Sequence, residues 1–129
     1  MKNEITVVVV TYRTDKNILL KCLKSIDNKI KIIIVENSKK FENESFFKKR
    51  FRNLKIICSG SNLGYGNGNN LGLSKVKTKF ALILNPDAYC SNNFFKKLSN
   101  NISKINNFHL IGCTYSNINK TYPAGLFQH

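Results

Sequence analysis

Asn85-Pro86-Asp87 closes the apolar run Phe80-Ala81-Leu82-Ile83-Leu84, and a carboxylate in such a place can do chemistry. If the run is a buried strand, Asp87 falls just past its carboxyl end, where open α/β sheets bind their ligands. A lone carboxylate there can hold a divalent cation, and the cation can hold a diphosphate. A Pro-Asp turn that only ends the strand uses the same residues. Two further apolar runs end in polar groups: the first in Thr11-Tyr12-Arg13, the second in Glu36-Asn37. A third is followed by a Gly- and Asn-rich stretch, residues 60–72, reading GSNLGYGNGNNLG. Its glycines permit positive φ and close backbone approach. Its amides, with the start of the next helix, can face an anion.

These groups converge only if the runs lie side by side. Ile5–Thr11 is apolar enough for a strand covered on both faces. Thr14 or Asp15 is placed to cap a helix whose apolar side is Leu19, Cys22, Leu23 and Ile26. Residues 31–35 form a second strand, residues 43–51 a weaker helix around Phe46, Phe47 and Phe51, and Leu54–Cys58 a third strand. Residues 59–68 read as a loop and residues 69–75 as a short helix. Residues 80–84 form a fourth strand. Phe94, Phe95, Leu98, Ile102 and Ile105 mark another helix, and residues 110–113 a fifth strand. Alternating strands and helices predict an α/β fold with a mostly parallel, Rossmann-like sheet and helices on both faces. No linker or repeat divides the chain, so one domain over residues 1–129 is expected. Residues 115–129 show little periodicity.

Composition narrows the partners. No apolar run approaches the ~18 residues that span a bilayer, and residues 1–10 make a poor secretory signal, so a cytoplasmic protein is expected. Cys22, Cys58, Cys90 and Cys113 form no C-x-x-C pair, which excludes zinc-site and thioredoxin-like spacing and suggests buried, inert thiols. The charge is +14, from 21 basic and 7 acidic residues, and could attract nucleic acid, anionic lipid or a phosphorylated ligand. The lysines are dispersed, however, and the Lys, Asn, Ile and Phe content fits a low-GC genome, so solvated surface is the plainer reading. A nucleic-acid-binding domain has no motif in its favour. No G-x-G-x-x-G occurs, because position 69 or 71 would have to be glycine, and the Gly-rich stretch follows the third strand rather than the first. No G-K-[ST] occurs either, which excludes a P-loop. A nucleotidyltransferase would want a basic Gly-rich loop after the first strand, and Thr11-Tyr12-Arg13-Thr14 is not one.

VVVVTYR (residues 7–13), IIIVENS (32–38), NLGYGNGNNLGL (62–73) and LILNPDA (82–88) together resemble the family-2 glycosyltransferases, in that family's order and at about its spacing. The NNLGL and NPD forms look most like its rhamnosyltransferase-type branch. The resemblance implies a GT-A nucleotide-sugar-binding fold and roles by position. Thr11, Tyr12 and Arg13 would line the base and ribose pocket. Glu36 stands where the family usually has an aspartate that hydrogen-bonds the pyrimidine, with Asn37 beside it; a helix-capping or solvated carboxylate is the plain alternative. Asn62, Gly64 and Asn70 match the loop under the donor, although Asn62 and Asn70 also suit hydrogen bonds within the loop. Tyr65 reads as a packing aromatic rather than a base stacker, and Asn69 stands where many relatives carry arginine. Asp87 matches the last aspartate of the D-x-D metal motif, with Asn85 replacing the first. It would hold Mg²⁺ or Mn²⁺ weakly, the metal arriving with the donor.

The implied reaction is inverting transfer of a sugar from a UDP- or dTDP-sugar to a hydroxyl acceptor, such as a glycan or a lipid-linked acceptor at a membrane surface. A carboxylate from the acceptor-binding half usually takes the proton. Here no Asp or Glu follows Asp87, and the only later imidazoles are His109, expected at a strand edge, and the terminal His129. The expectation is therefore a truncated enzyme that keeps donor binding and lacks the base. A binding-only module completed by a partner chain is the alternative.

Overall fold

In a computed structural model the chain is described at residues 4–117, 120–122 and 125–128. It divides into two compact units, residues 1–95 and 96–129.

The first unit is an α/β layer structure. Its strands β1 (Ile5–Thr11), β2 (Lys31–Glu36), β3 (Leu54–Cys58) and β4 (Phe80–Ile83) form one sheet in the order β3-β2-β1-β4. All three pairings are parallel. Thr11 lies opposite Glu36, and Glu36 opposite Cys58, so these strand ends share one edge. All seven residues of β1 are buried, which requires cover on both faces.

The helices supply that cover by different means. Helix α1 (Lys16–Lys24) is amphipathic and buries Leu19, Cys22 and Leu23. Asp15 is its N-cap: Oδ1 accepts the amides of Asn17 and Ile18 at 2.9 and 3.0 Å. Helix α2 (Glu44–Arg50) buries Phe47, whose ring meets Phe41, Phe46 and Phe51. Helix α3 (Tyr65–Leu73) begins four residues earlier than the sequence suggests, because Tyr65-Gly66-Asn67-Gly68 is helical rather than looped. Each helical glycine costs about 1 kcal/mol against alanine, so local propensity misleads here and packing decides. A Cβ on Gly72 would sit 2.5 Å from Val8 Cγ1, and one on Gly68 2.9 Å from Val10 Cγ1 and from Asn37 Nδ2. The glycines let α3 lie directly on β1 and β2, over the cluster Val10, Ile33 and Val35.

β4 forms one border of this sheet. Ala81 and Ile83 are exposed, Ile83 by 41%.

In the second unit, helix α4 (Phe94–Ile102), which starts at the unit boundary, precedes β5 (Phe108–Gly112). The expected fifth strand therefore exists, but it does not extend the parallel sheet. It pairs antiparallel with β8 (Gly125–Gln128), while β6 (Tyr115–Ser116) and β7 (Thr121–Tyr122) form a small antiparallel hairpin. The weak periodicity after residue 114 hid these short strands. Among the described residues, no helix is long and apolar enough to cross a membrane. His109 is exposed on β5, and His129 lies outside the described residues.

Candidate functional site

The connections from β1 and β2 run one way along the sheet, and the connection from β3 jumps back across to β4. β1 and β4 therefore flank a switch point, where a crevice opens beyond the strand ends. A cavity of about 600 Å³ lies there. It is lined by Val10, Thr11 and Tyr12 from β1 and its end, Asn37 after β2, Asn62 and Tyr65 before and at the start of α3, and Asn85, Pro86 and Asp87 after β4.

Each lining group has a local cause. Tyr12 is 50% exposed, and the Arg13 guanidinium lies 5.3 Å from its ring centroid. Asn37 is buried; its Nδ2 donates to the Gly64 carbonyl at 2.9 Å, and its Oδ1 is sealed with no protein donor among the described residues. Asn62 Oδ1 accepts the Gly64 amide at 2.9 Å, so Asn62 both closes its own loop and lines the cavity. Gly64 has φ +81°, which favours glycine, and turns the chain into α3. The Tyr65 hydroxyl hydrogen-bonds Asn85 Oδ1. Tyr65 is thus an exposed tether to the β4 end, not the packing aromatic expected.

The Asn85–Cys90 segment is tied to α1 by sulfur and hydroxyl groups. Cys22 Sγ donates to the Asn85 carbonyl at 3.6 Å. Ser25 Oγ donates to the Cys22 carbonyl at 2.6 Å and accepts the Cys90 amide at 2.9 Å. Burial above all, with Cys90 and Asp87 nearby, pushes the Cys22 thiol up to about 12, so it stays protonated at neutral pH and remains a donor. Cys22 is thus the buried thiol expected, whereas Cys58 is exposed at the end of border strand β3.

Asp87 is exposed on the cavity, and no hydrogen bond or ion pair engages its carboxylate among the described residues. No group of three His, Cys, Asp or Glu side chains is arranged to hold a metal there or elsewhere among them. An open carboxylate without helpers suits a hard cation that brings most of its oxygens from ligand and water. The donor set fits Mg²⁺ or Mn²⁺ carried in by a diphosphate and does not form a cage for a bare ion.

Four expected site residues stand apart from the cavity lining. Arg13 lines a separate, small niche with Lys16, Glu36, Lys40 and Phe41. Gly64 acts through its backbone, and Asn70 is exposed along α3. Glu36 is neither a helix cap nor a solvated group. It is 2% exposed and its carboxylate accepts from Thr11, Arg13 and Ser38. In exchange, the cavity gains Thr14, Asp15 and Ile18 at the start of α1. The capping role of Asp15 masked its second position, and only its closeness to Tyr12 in sequence hinted at it.

A parallel α/β sheet with a cavity at its switch point is an arrangement in which open α/β sheets bind their ligands. The profile of glycosyl transferase family 2 matches residues 6–129, and the chain belongs to that family. Solved structures of TarS from S. aureus share the fold. TarS 1-349 matches with a TM-score of 0.67 and 19% identity, and its complex with UDP with 0.68 and 19%; each match covers 78% of this chain and 32% of that one. A further TarS structure gives 0.68 and 20% identity over 78% of this chain and 20% of that one. The chain thus spans about a third or less of the length of these neighbours. No curated protein sequence matches it.

Proposed function

We propose that this chain forms the donor-binding part of a glycosyltransferase that uses a nucleoside diphosphate sugar. The observation carrying this reading is the cavity at the β1/β4 switch point, which joins an exposed aromatic, Tyr12, to an unengaged carboxylate, Asp87. The UDP complex of a structural neighbour supports the same ligand class. In this reading the base and ribose lie by Thr11 and Tyr12, and Asn37, Asn62 and Tyr65 close the wall. Asn85 and Asp87 meet the diphosphate, and Asp87 holds the Mg²⁺ or Mn²⁺ that comes with it. Bound there, the metal would offset charge on the departing diphosphate. The Cys22 and Ser25 contacts keep the Asn85–Cys90 segment in register for that role.

The acceptor is a hydroxyl, on a glycan or a lipid-linked sugar, and transfer inverts the anomeric centre as in the related enzymes. Rhamnosyl transfer is the branch that the NNLGL and NPD segments favour. A second reading is a binding module that works with a partner chain; residues 88–129 hold no Asp or Glu. Calorimetric titration of UDP- and dTDP-sugars with and without Mn²⁺ tests both readings. Metal-dependent binding is expected. Its absence for every donor would remove the nucleotide-sugar reading, while binding without turnover, cured by adding a partner protein, would favour the module.

A further inference from the structure

We infer that Glu36 is a positioning residue that fixes the turn leaving β1, and that it does not touch the ligand; the inference deepens the nucleotide-sugar reading and its ligand arm rests on it. Three donors converge on the carboxylate. Thr11 Oγ1 donates to Oε2 at 2.5 Å, while the Arg13 amide at 3.1 Å and Ser38 Oγ at 2.7 Å donate to Oε1. At 2% exposure, beside a niche with room for no more than about one water, the group is closed to a ligand as large as a pyrimidine.

What these bonds hold is unusual. Arg13 has φ +51°, the left-handed region that a long side chain occupies only when its surroundings impose it. The Arg13 amide is the donor that Glu36 captures, so the carboxylate selects this backbone state. Tyr12 lies between the two anchored residues, Thr11 and Arg13, and is thereby displayed at the cavity. Ser38 ties the same carboxylate to the turn after β2, and the Asn37 amide donates to the Thr11 carbonyl at 2.8 Å. Two strand ends are thus bolted together through one buried side chain. The extra methylene of glutamate over aspartate lets the carboxylate reach across to the Arg13 amide.

Amide hydrogen exchange on the full chain reads the turn with no ligand present. In Glu36→Ala, the Arg13 amide should exchange about tenfold or more faster, while Val8 and Val9 amides in β1 keep their protection. Unchanged Arg13 exchange in Glu36→Ala would overturn the inference. Glu36→Gln is the variant that keeps the fold: its amide oxygen can take the Arg13 and Ser38 donors, and its nitrogen can donate to Thr11 Oγ1. It should restore Arg13 protection and bind UDP within about threefold of the parent chain.

The ligand arm compares UDP with N3-methyl-UDP, which lacks the imide N–H. A positioning role predicts that Glu36→Ala weakens both about equally, leaving their ratio unchanged, because only the display of Tyr12 suffers. A ratio that collapses in Glu36→Ala, or a loss beyond tenfold for UDP in Glu36→Gln with Arg13 still protected, would mean direct contact and overturn the inference. Failure of the parent chain to bind either compound would sink the nucleotide-sugar reading instead, and the exchange result would still decide the role of Glu36.

Discussion

Two carboxylates stand at the carboxyl ends of strands on one edge of the same sheet, Glu36 as the last residue of β2 and Asp87 beyond β4, and they have opposite environments. Glu36, closing β2, is buried with three donors on its oxygens. Asp87, after β4, is exposed, and no hydrogen bond or ion pair holds its carboxylate among the described residues. The difference follows from strand position. β2 is interior, flanked by β3 and β1, so its end is enclosed by the turns of its neighbours. β4 is a border strand, so its end stays open. A carboxylate inside such an enclosure must find donors or lose several kcal/mol, and it becomes part of the framework. One at the open border keeps its lone pairs for something arriving from solution.

This contrast can be broken experimentally, and the largest effect belongs to Glu36. Glu36→Ala takes the acceptor from the buried Thr11 hydroxyl and from the Arg13 amide, and should lower unfolding free energy by about 3 kcal/mol in urea denaturation. Asp87→Asn should leave stability within about 0.5 kcal/mol, yet weaken Mn²⁺-dependent UDP-sugar binding by about tenfold or more in calorimetry. If the two variants exchanged signatures, the division between framework and ligand carboxylate would be wrong. Tyr65→Phe removes the tether to Asn85 and should weaken donor binding about fivefold, with secondary structure unchanged by circular dichroism. The thiols give the smallest effect. A maleimide should label Cys58 within minutes and leave Cys22 untouched until the chain unfolds, as mass spectrometry of the labelled peptides can show. The raised Cys22 value also sets a direction with pH. The folded chain holds this proton more tightly than the unfolded one, so its contribution is complete below about pH 9 and fades as pH rises towards about 12.

The first unit was largely legible in the sequence. The unbroken run 5–11 announced an interior strand, Asp15 announced a helix start, and the polar endings of β1, β2 and β4 announced the shared edge. Three features were not legible, for separable reasons. The first turn of α3 was concealed because Gly66 and Gly68 argue locally for a loop, whereas Val8, Val10 and Val35 on the sheet make a close-lying helix favourable. The environment of Glu36 was concealed because its partners come from residues 11, 13 and 38, and no local pattern reports a left-handed Arg13. The strands of the second unit are mostly too short for a period-2 pattern to register.

The glycine content of α3 has one more consequence. Tyr65–Leu73 contains three glycines and three asparagines, so as a free segment it would hold almost no helix. It is ordered only while seated on β1 and β2, and the same segment contributes Tyr65 to the cavity. Sheet integrity and ligand affinity are therefore thermodynamically linked: a donor bound at the cavity raises the melting temperature, and a softened core masquerades as a binding defect. Affinity losses measured on variants of Val8 or Val35, which pack against Gly72 and do not line the cavity, will report undocking of this segment rather than lost contacts with a nucleotide.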